Sequence, residues 1–120
     1  MDKLISFEIA ILAKEKGFNE ACLDNYGLDG NLYVRQPIEL SPNNSMWNHV
    51  ISAPTQSELQ KWLREKHNIH IAIIYDWHLF NVNIMSIEYN ILLKSSLTNK
   101  IATYEDALEA GLLQGLKLIK

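Results

Sequence analysis

The stretch Ser52–Tyr75, SAPTQSELQKWLREKHNIHIAIIY, contains a helix start, a helix stop and a strand in one continuous run. Thr55, followed three residues later by Glu58, forms the capping-box pattern that begins a helix. The apolar residues of Leu59–Leu63 then recur at helical spacing on one face. The pattern therefore predicts a helix that begins after Thr55 and packs one side against a core.

The helical period ends at Asn68, a residue type that tolerates the left-handed backbone conformation found at helix ends. From there onward apolar residues alternate, so that Ile69, Ile71 and Ile73 share one face of an extended chain and His70 lies on the other. This change of period predicts a strand directly after the helix. We expect the helix and the strand to contribute to one interior.

Two further helices are predicted, one near each end of the sequence. Ser6 is placed to cap a helix that runs through Lys16 and ends at Gly17. Thr103, with Asp106 in the box position, is placed to cap the last helix. Three small residues recur at four-residue spacing in this helix, and their row predicts a close approach to another backbone. They are Ala107, Gly111 and Gly115.

Strand-forming and turn-forming residues fill most of the remaining sequence. Residues 21–36 have the pattern of a hairpin, and residues 38–51 that of an irregular loop with a short extended piece. Residues 76–81 are predicted as a connection, and residues 84–93 as a second strand that pairs antiparallel with the first. The predicted class is α+β. We expect a small single domain over residues 1–120, with an antiparallel sheet and about three helices packed on one face. The expected order is helix, hairpin, helix, meander, helix.

Composition is that of an ordinary globular protein and weighs against several function classes. Of 120 residues, 48% are hydrophobic and 21% are charged, and the net charge of −3 produces no global attraction for nucleic acid or an anionic membrane. No apolar run approaches the roughly 20 residues of a membrane span. Met1–Glu8 places an acid where a signal peptide is apolar, and the single Cys22 fits a reducing compartment. We therefore expect a cytoplasmic protein.

Two blocks of this sequence resemble a group of short, uncharacterised bacterial and phage-borne proteins. The first block is APTQ at 53–56, followed by LQKWLRE at 59–65 and HNIH at 67–70. The second block is TYEDALEAGL at 103–112. The resemblance implies a shared fold and an origin on a mobile element. It implies no activity, because none is assigned to that group.

The four histidines and the single cysteine are the residues best able to carry chemistry. His67 and His70 lie on either side of the predicted helix end, so their rings need not converge, and a zinc site needs further ligands. His49, His78 and Cys22 could supply those ligands only through the fold. A small metal-dependent or Cys/His-dependent enzyme is therefore the alternative hypothesis. We expect no catalytic set, no metal and no cofactor.

Lys61, Arg64 and His67 form a candidate basic face on the predicted central helix. Such a face is the usual electrostatic signature of nucleic-acid binding, so a weak nucleic-acid binder that uses the helix over 61–67 is a third hypothesis. Two glutamates on the same helix offset these charges. The balance favours a solvated helix face over a nucleic-acid site.

Aromatic residues supply the candidate interaction surface. Trp77 and His78 lie in the predicted connection between strands, and aromatic residues in exposed loops often bind partners. An equal alternative for Trp77 is to fold back onto the sheet. Trp47, Tyr26 and Tyr33 could line a groove or a dimer surface together with the two loop residues.

The leading hypothesis is a small non-enzymatic binding or accessory protein of mobile-element, phage-like origin. It rests on a pattern of one domain that has neither a cofactor loop nor a catalytic set. We expect it to engage a protein partner or a second copy of itself as a homodimer. We expect no membrane association and no nucleic-acid partner.

Overall fold

The computed structural model has three helices and antiparallel sheets among the residues it describes, which confirms the α+β class. It describes residues 3–18, 20–22, 24–27, 30–34, 41–42, 50–95 and 101–119. The helices are α1 (Phe7–Glu15), α2 (Gln56–His67) and α3 (Tyr104–Lys117). The strands are β1 (Ala21–Cys22), β2 (Asp24–Gly27), β3 (Leu32–Val34), β4 (Ser41–Pro42), β5 (Val50–Ser52), β6 (Ile69–Asp76), β7 (Leu79–Ser86) and β8 (Ile91–Ser95).

The described strands form three antiparallel sheets. β1 pairs with β4, β2 lies between β3 and β5, and β7 lies between β6 and β8. Contacts divide the chain into two compact units, Met1–Ser57 and Glu58–Lys120. The expectation of a single domain over residues 1–120 stays a prediction.

In the first unit, α1 begins and ends where the sequence indicates. Ser6 is extended, and its Oγ accepts a hydrogen bond from Ile9 N at 3.3 Å, so Ser6 is the N-cap. The helix ends before Gly17, whose φ of +98° disfavours any side chain. Phe18 then folds back onto the helix: its N–H donates to Ala13 O at 2.9 Å and its ring is buried. The glycine and the apolar contact together fix the exit of α1.

The sheet β3-β2-β5 forms much of the rest of the first unit. The predicted hairpin is confirmed as β2 and β3, with a hydrogen bond from Gly27 N to Asn31 O of 2.9 Å at its end. The extended piece expected before the central helix is β5, which pairs with β2. The Tyr26 hydroxyl donates to Ile5 O at 2.8 Å, and the Tyr26 ring lies edge-on to Phe7 at 5.4 Å. The hairpin and the start of α1 therefore pack together.

The central stretch confirms both the predicted helix and the predicted change of period. α2 begins at Gln56, one residue after Thr55, and ends at His67. Asn68 follows with a φ of +56°, the left-handed conformation expected at this position. β6 begins at the next residue, Ile69, which is buried.

The second unit packs α3, and α2 from Glu58 onward, against the sheet β6-β7-β8. Gln60 joins α2 to β6, because its Nε2 donates to Ile71 O at 2.8 Å. α3 lies against β6 and β7. Buried apolar side chains from these elements form the core of this unit. They are Leu59, Trp62, Leu63, Ile69, Ile71, Val82, Ile84, Ala107, Leu108, Leu112 and Leu116.

The small-residue row of α3 lies close to the sheet, although its nearest neighbours are side chains and not the backbone that its spacing predicts. A Cβ on Gly111 would lie 2.5 Å from Ile71 Cγ2 and 2.8 Å from Val82 Cγ1, distances that require the sheet side chains to move. A Cβ on Gly115 would lie 2.9 Å from Ile71 Cδ1. Ala107 is fully buried in the same row. The two glycines therefore allow α3 to lie directly on the sheet.

The single strand predicted over residues 84–93 is wrong. β7 already begins at Leu79 and pairs with β6 along its whole length. The chain then turns through residues 87–90, where Ser86 Oγ accepts a hydrogen bond from Tyr89 N at 3.2 Å, and β8 follows as a separate strand. Apolar alternation continues through this turn, so periodicity alone does not mark it.

Candidate functional site

β6 and β7 are joined by a two-residue turn whose central residues are Trp77 and His78. The longer connection predicted over 76–81 is therefore wrong, because Asp76 and Leu79 already form the last pair of the ladder. Trp77 has a φ of +51° and His78 a φ of +65°. Two positive φ angles in a two-residue hairpin loop are the signature of a type I′ turn. That turn favours Asn-Gly, because most side chains resist the conformation.

Aromatic side chains extend this turn into a cluster at one end of the sheet. The Tyr75 hydroxyl lies 3.3 Å from His78 Nδ1, and the two rings are edge-on with centres 6.4 Å apart. The ring centres of Tyr75 and Phe80 are 5.0 Å apart across the ladder, and those of Phe80 and Tyr104 are 6.1 Å apart. We call Tyr75, Trp77, His78, Phe80 and Tyr104 the aromatic tip.

The Trp77 side chain projects from the aromatic tip into solvent and does not fold back onto the sheet. It is 84% exposed, and Tyr75 beside it is 60% exposed. In the described part of the chain, Trp77 has the largest exposed fraction of any large hydrophobic residue. Packed aromatic side chains bury roughly 150–250 Å² each. The Trp77 indole buries little of its surface and therefore adds little hydrophobic stabilisation to the chain.

Main-chain contacts fix the base of the aromatic tip. Phe80 N donates to Ile101 O at 2.8 Å, in an isolated bridge just before α3. Thr103 caps α3 as predicted, since its Oγ1 accepts a hydrogen bond from Asp106 N at 3.1 Å. Tyr104, the first residue of α3, is thereby held beside Phe80. The tip therefore has a base fixed by a hairpin and a helix start, with an exposed indole at its end.

Of the five residues predicted to form an interaction surface, Trp77 and His78 lie on the aromatic tip. Tyr26 is engaged within the first unit, through its hydroxyl and its ring. The side chain of Tyr33 and the whole of Trp47 lie outside the described residues. The predicted five-residue surface therefore stays a prediction, and the aromatic tip contains two of its residues.

The described histidines do not come together as a metal site. In the residues that the structure describes, no group of three His, Cys, Asp or Glu side chains is placed to hold a metal ion. His67 ends α2, whereas His70 lies in β6 opposite Met85. His49 and the side chain of Cys22 lie outside the described residues.

The candidate basic face of α2 carries less positive charge than its sequence indicates. Lys61 and Arg64 share the helix with Glu65, which is exposed. His67 packs edge-on against Trp62, with ring centres 4.7 Å apart. Burial lowers the pKa of the His67 imidazole from its usual value of 6.5. Burial therefore disfavours the charged form of His67, and this residue adds less positive charge to the face than a solvated histidine would.

Comparisons with protein-family models, with curated proteins and with solved structures gave no match to this chain. Within the described ranges, no helix combines the length and the apolar character that crossing a membrane requires. The geometry of the aromatic tip is therefore the main indication of function.

Three members of the aromatic tip carry no signal in the sequence that marks them as site residues, namely Tyr75, Phe80 and Tyr104. Tyr75 and Phe80 become cross-strand partners only when the loop between them has two residues, and Trp-His lacks the Asn or Gly that marks such a loop. Strand-forming residues on both sides of the loop were the one available signal. Tyr104 joins the cluster through the bridge at Ile101, which no local pattern encodes.

Proposed function

We propose that this chain is a small non-enzymatic binding or accessory protein that engages a protein partner through its aromatic tip. The observation that carries the proposal is Trp77, a bulky residue with a φ of +51° and a side chain that is 84% exposed. A left-handed backbone costs an L-residue about 1–2 kcal/mol, and an exposed indole contributes no packing energy to the fold. Strained residues of this kind cluster at binding and catalytic sites.

The shape and chemistry of the aromatic tip favour a pocket in another protein. A single indole on a tight turn is a knob, and Trp is enriched at the energetic centres of protein interfaces. Tyr75 and His78, which lie beside Trp77 in the same hairpin and are both exposed, add polar atoms that can bond to a partner. A homodimer through the tip would set one knob against another, because a two-fold interface presents the same surface twice. A different protein is therefore the better fit.

The two other hypotheses receive less support from the described residues. An enzyme needs a positioned nucleophile, base or metal, and an open turn with an exposed indole provides no enclosed place for a reacting group. Nucleic-acid binding through residues 61–67 needs a continuous positive face, whereas this helix also carries acids and a His67 whose pKa is lowered by burial.

We further propose a cytoplasmic location and an origin on a phage-like mobile element. The single cysteine suits a reducing compartment. The blocks at 53–70 and 103–112 resemble phage-borne proteins. A small accessory protein of such an element needs a means of binding another protein, and the aromatic tip supplies one.

The test is capture of a partner by matched variants of the full chain. The immobilised chain is exposed to an extract of the cells that express it, and bound proteins are quantified for wild type, Trp77→Asn/His78→Gly and Tyr89→Asn. The first variant installs the pair that a type I′ turn prefers, so the hairpin is retained while the indole is lost. The second variant removes an exposed aromatic residue from the other turn of the same sheet.

We expect a protein that wild type and Tyr89→Asn capture equally and that the tip variant binds about tenfold less tightly or worse. Titration of that protein should shift tryptophan fluorescence to shorter wavelength as the indole of Trp77 leaves water. The tip variant should lack this shift. Equal capture by all three chains, or capture of nothing above a blank surface, contradicts the proposal.

A further inference from the structure

A second exposed surface lies along one edge of the sheet in the second unit. Three consecutive residues of β8 have large apolar side chains with exposed fractions of 42–52%. We call them the edge patch, and they are Ile91, Leu92 and Leu93. Single exposed apolar residues are ordinary on protein surfaces, whereas a contiguous run of them marks a surface that another molecule covers.

The edge patch lies on β8, which is the last strand of the described sheet. One row of backbone N–H and C=O groups on an edge strand faces away from its neighbour and can bond to a further strand. Leu92 lies in the row of Met85, and Ile91 lies in the row of Ser86 on the opposite face. Apolar area is thus exposed on both faces of the edge. Another strand covers both faces and also bonds to the backbone, whereas a helix covers one face.

We propose that this edge pairs antiparallel with β8 of a second copy of this chain, with Leu92 on the two-fold axis. This surface is distinct from the aromatic tip, so the inference goes beyond the proposed function. An antiparallel strand pair satisfies two-fold symmetry, because each contact of residue i with residue j is repeated as j with i. With Leu92 opposite its own copy, Ile91 faces Leu93 of the second copy, and apolar side chains meet along the centre.

The charges at the two ends of the edge patch select a second copy as the occupant. Glu88 precedes β8 and Lys94 lies near its end. With Leu92 on the axis, the turn of one copy, which carries the exposed Glu88, lies beside the far end of β8 in the other copy. Lys94 is exposed at that end, and its Nζ also donates to Gln114 Oε1 of α3. The axis forms this pair of opposite charges twice. A parallel pairing would instead set like charges together, so the pattern matches antiparallel self-pairing.

A β-bulge limits how far this pairing can extend. Lys94 pairs with Ile84 and Leu92 with Met85, which leaves Leu93 as the extra residue on β8. Bulges twist an edge strand and shorten the regular ladder that it can form with a neighbour. We therefore expect a reversible dimer that apolar side chains stabilise, and we expect no continuous fibre.

The mass of the full chain as a function of concentration tests the proposal. Equilibrium sedimentation should give a mass that rises from 13.8 kDa and levels off at twice that value. Leu92→Lys places like charges across the axis and should keep the chain monomeric at every concentration. Ile74→Lys is the matched control, because Ile74 is similarly exposed on β6, the opposite edge strand, and its mass should follow wild type.

Charge exchange tests the register independently of the apolar contact. Glu88→Lys and Lys94→Glu should each weaken the dimer by about three- to tenfold, because each sets like charges together in two places. The double exchange should restore wild-type association. Circular dichroism of each variant establishes that it is folded before its mass is interpreted.

Four results would overturn the proposal: a chain that stays monomeric up to millimolar concentration, a mass that grows without levelling off, equal disruption by Ile74→Lys and Leu92→Lys, or no rescue by the double exchange. The variant Trp77→Asn/His78→Gly should dimerise as wild type does. Failure of the aromatic tip to bind a partner and failure of β8 to self-pair are therefore separate results.

Discussion

The contact between α3 and its sheet and the turn between β6 and β7 both hold residues against their local preferences. Gly111 weakens a helix by about 1 kcal/mol relative to alanine. Trp77 and His78 resist the left-handed conformation that their turn requires. Around Gly111 the compensation is visible, because Ile71 and Val82 occupy the space that a Cβ would take. At the turn the Trp77 side chain lies in solvent.

Gly111 is unfavourable in a helix but allows close packing. Trp77 is unfavourable in its turn and has no such role in packing, which points to binding. The free energy of unfolding of a small domain is a small difference between large opposing terms. A local cost of about 1–2 kcal/mol is therefore a substantial part of it. Neighbouring side chains offset the cost at Gly111. The cost at Trp77 has no comparable offset within the described chain, and such places are where a sequence serves function before stability.

The largest effect is expected from Gly111→Leu, which fills a position where even a Cβ lies 2.5 Å from Ile71. The helix would have to lift from β6 and β7, and we expect the free energy of unfolding to fall by about 3 kcal/mol in urea denaturation. Ala110→Leu, one residue earlier in α3 and only half-buried, should change it by less than about 0.5 kcal/mol. Equal effects at the two positions would show that the glycine is incidental.

At the turn the expected change has the opposite sign. Trp77→Asn/His78→Gly replaces two strained residues with the pair that a type I′ turn favours, so the free energy of unfolding should rise by about 1–2 kcal/mol. Urea denaturation of the isolated protein measures this directly, with Tyr89→Asn as the exposed-aromatic control. A loss of stability would mean that the aromatic tip stabilises the fold, and it would remove the main argument for a binding role.

The extent to which this fold is predictable depends on whether its signals are local. The caps at Ser6 and Thr103 and the change of period at Asn68 are local, and the structure confirms the elements that they bound. The turn at residues 87–90 escapes prediction because apolar residues alternate straight through it. Periodicity identifies extended chain, but it does not identify where an extended chain reverses.

The aromatic tip was predictable only in part for a related reason. The sequence predicts Trp77 and His78 as surface residues from their place in a loop between strands. Tyr75 and Phe80 meet only because that loop is as short as it is, and Trp-His is an unusual pair for a type I′ turn. Tyr104 belongs to a different element and reaches the tip through tertiary packing. Sequence rules for turns describe unstrained backbone conformations, so they do not predict a site whose residues adopt a strained one.

A smaller effect is expected at Asn25, which extends the comparison to the first unit. This residue is buried in the central strand β2, and neither side-chain amide atom has a hydrogen-bond partner among the described residues. Asn25→Leu should raise the free energy of unfolding by about 1 kcal/mol, because it replaces a desolvated amide with an apolar side chain of the same branched shape. Ser52→Ala should lower it by a similar amount, since Ser52 Oγ donates to Glu20 O at 3.3 Å. A loss of stability in Asn25→Leu would show that the amide is bonded.

The smallest effect is a pH dependence at His67. Unlike Trp77, this aromatic residue of the second unit packs against a neighbour, Trp62. Packing against Trp62 buries the imidazole and lowers its pKa below 6.5. As the pH falls through 6.5, the unfolded chain binds a proton that the folded chain does not bind. The contribution of His67 to the free energy of unfolding is therefore full above pH 6.5. It declines as the pH falls and stops declining below the pKa of the folded state.

His67→Gln isolates this contribution, because the carboxylates titrate alike in both chains and cancel. The difference in free energy of unfolding, wild type minus variant, should be larger at about pH 7.5 than at about pH 5.5 in urea denaturation. A difference that is larger at the lower pH would mean that the folded state holds the charged imidazole more tightly than the unfolded chain does. The contact with Trp62 would then act as a cation–π pair rather than as burial, and His67 would restore a positive charge to the α2 face.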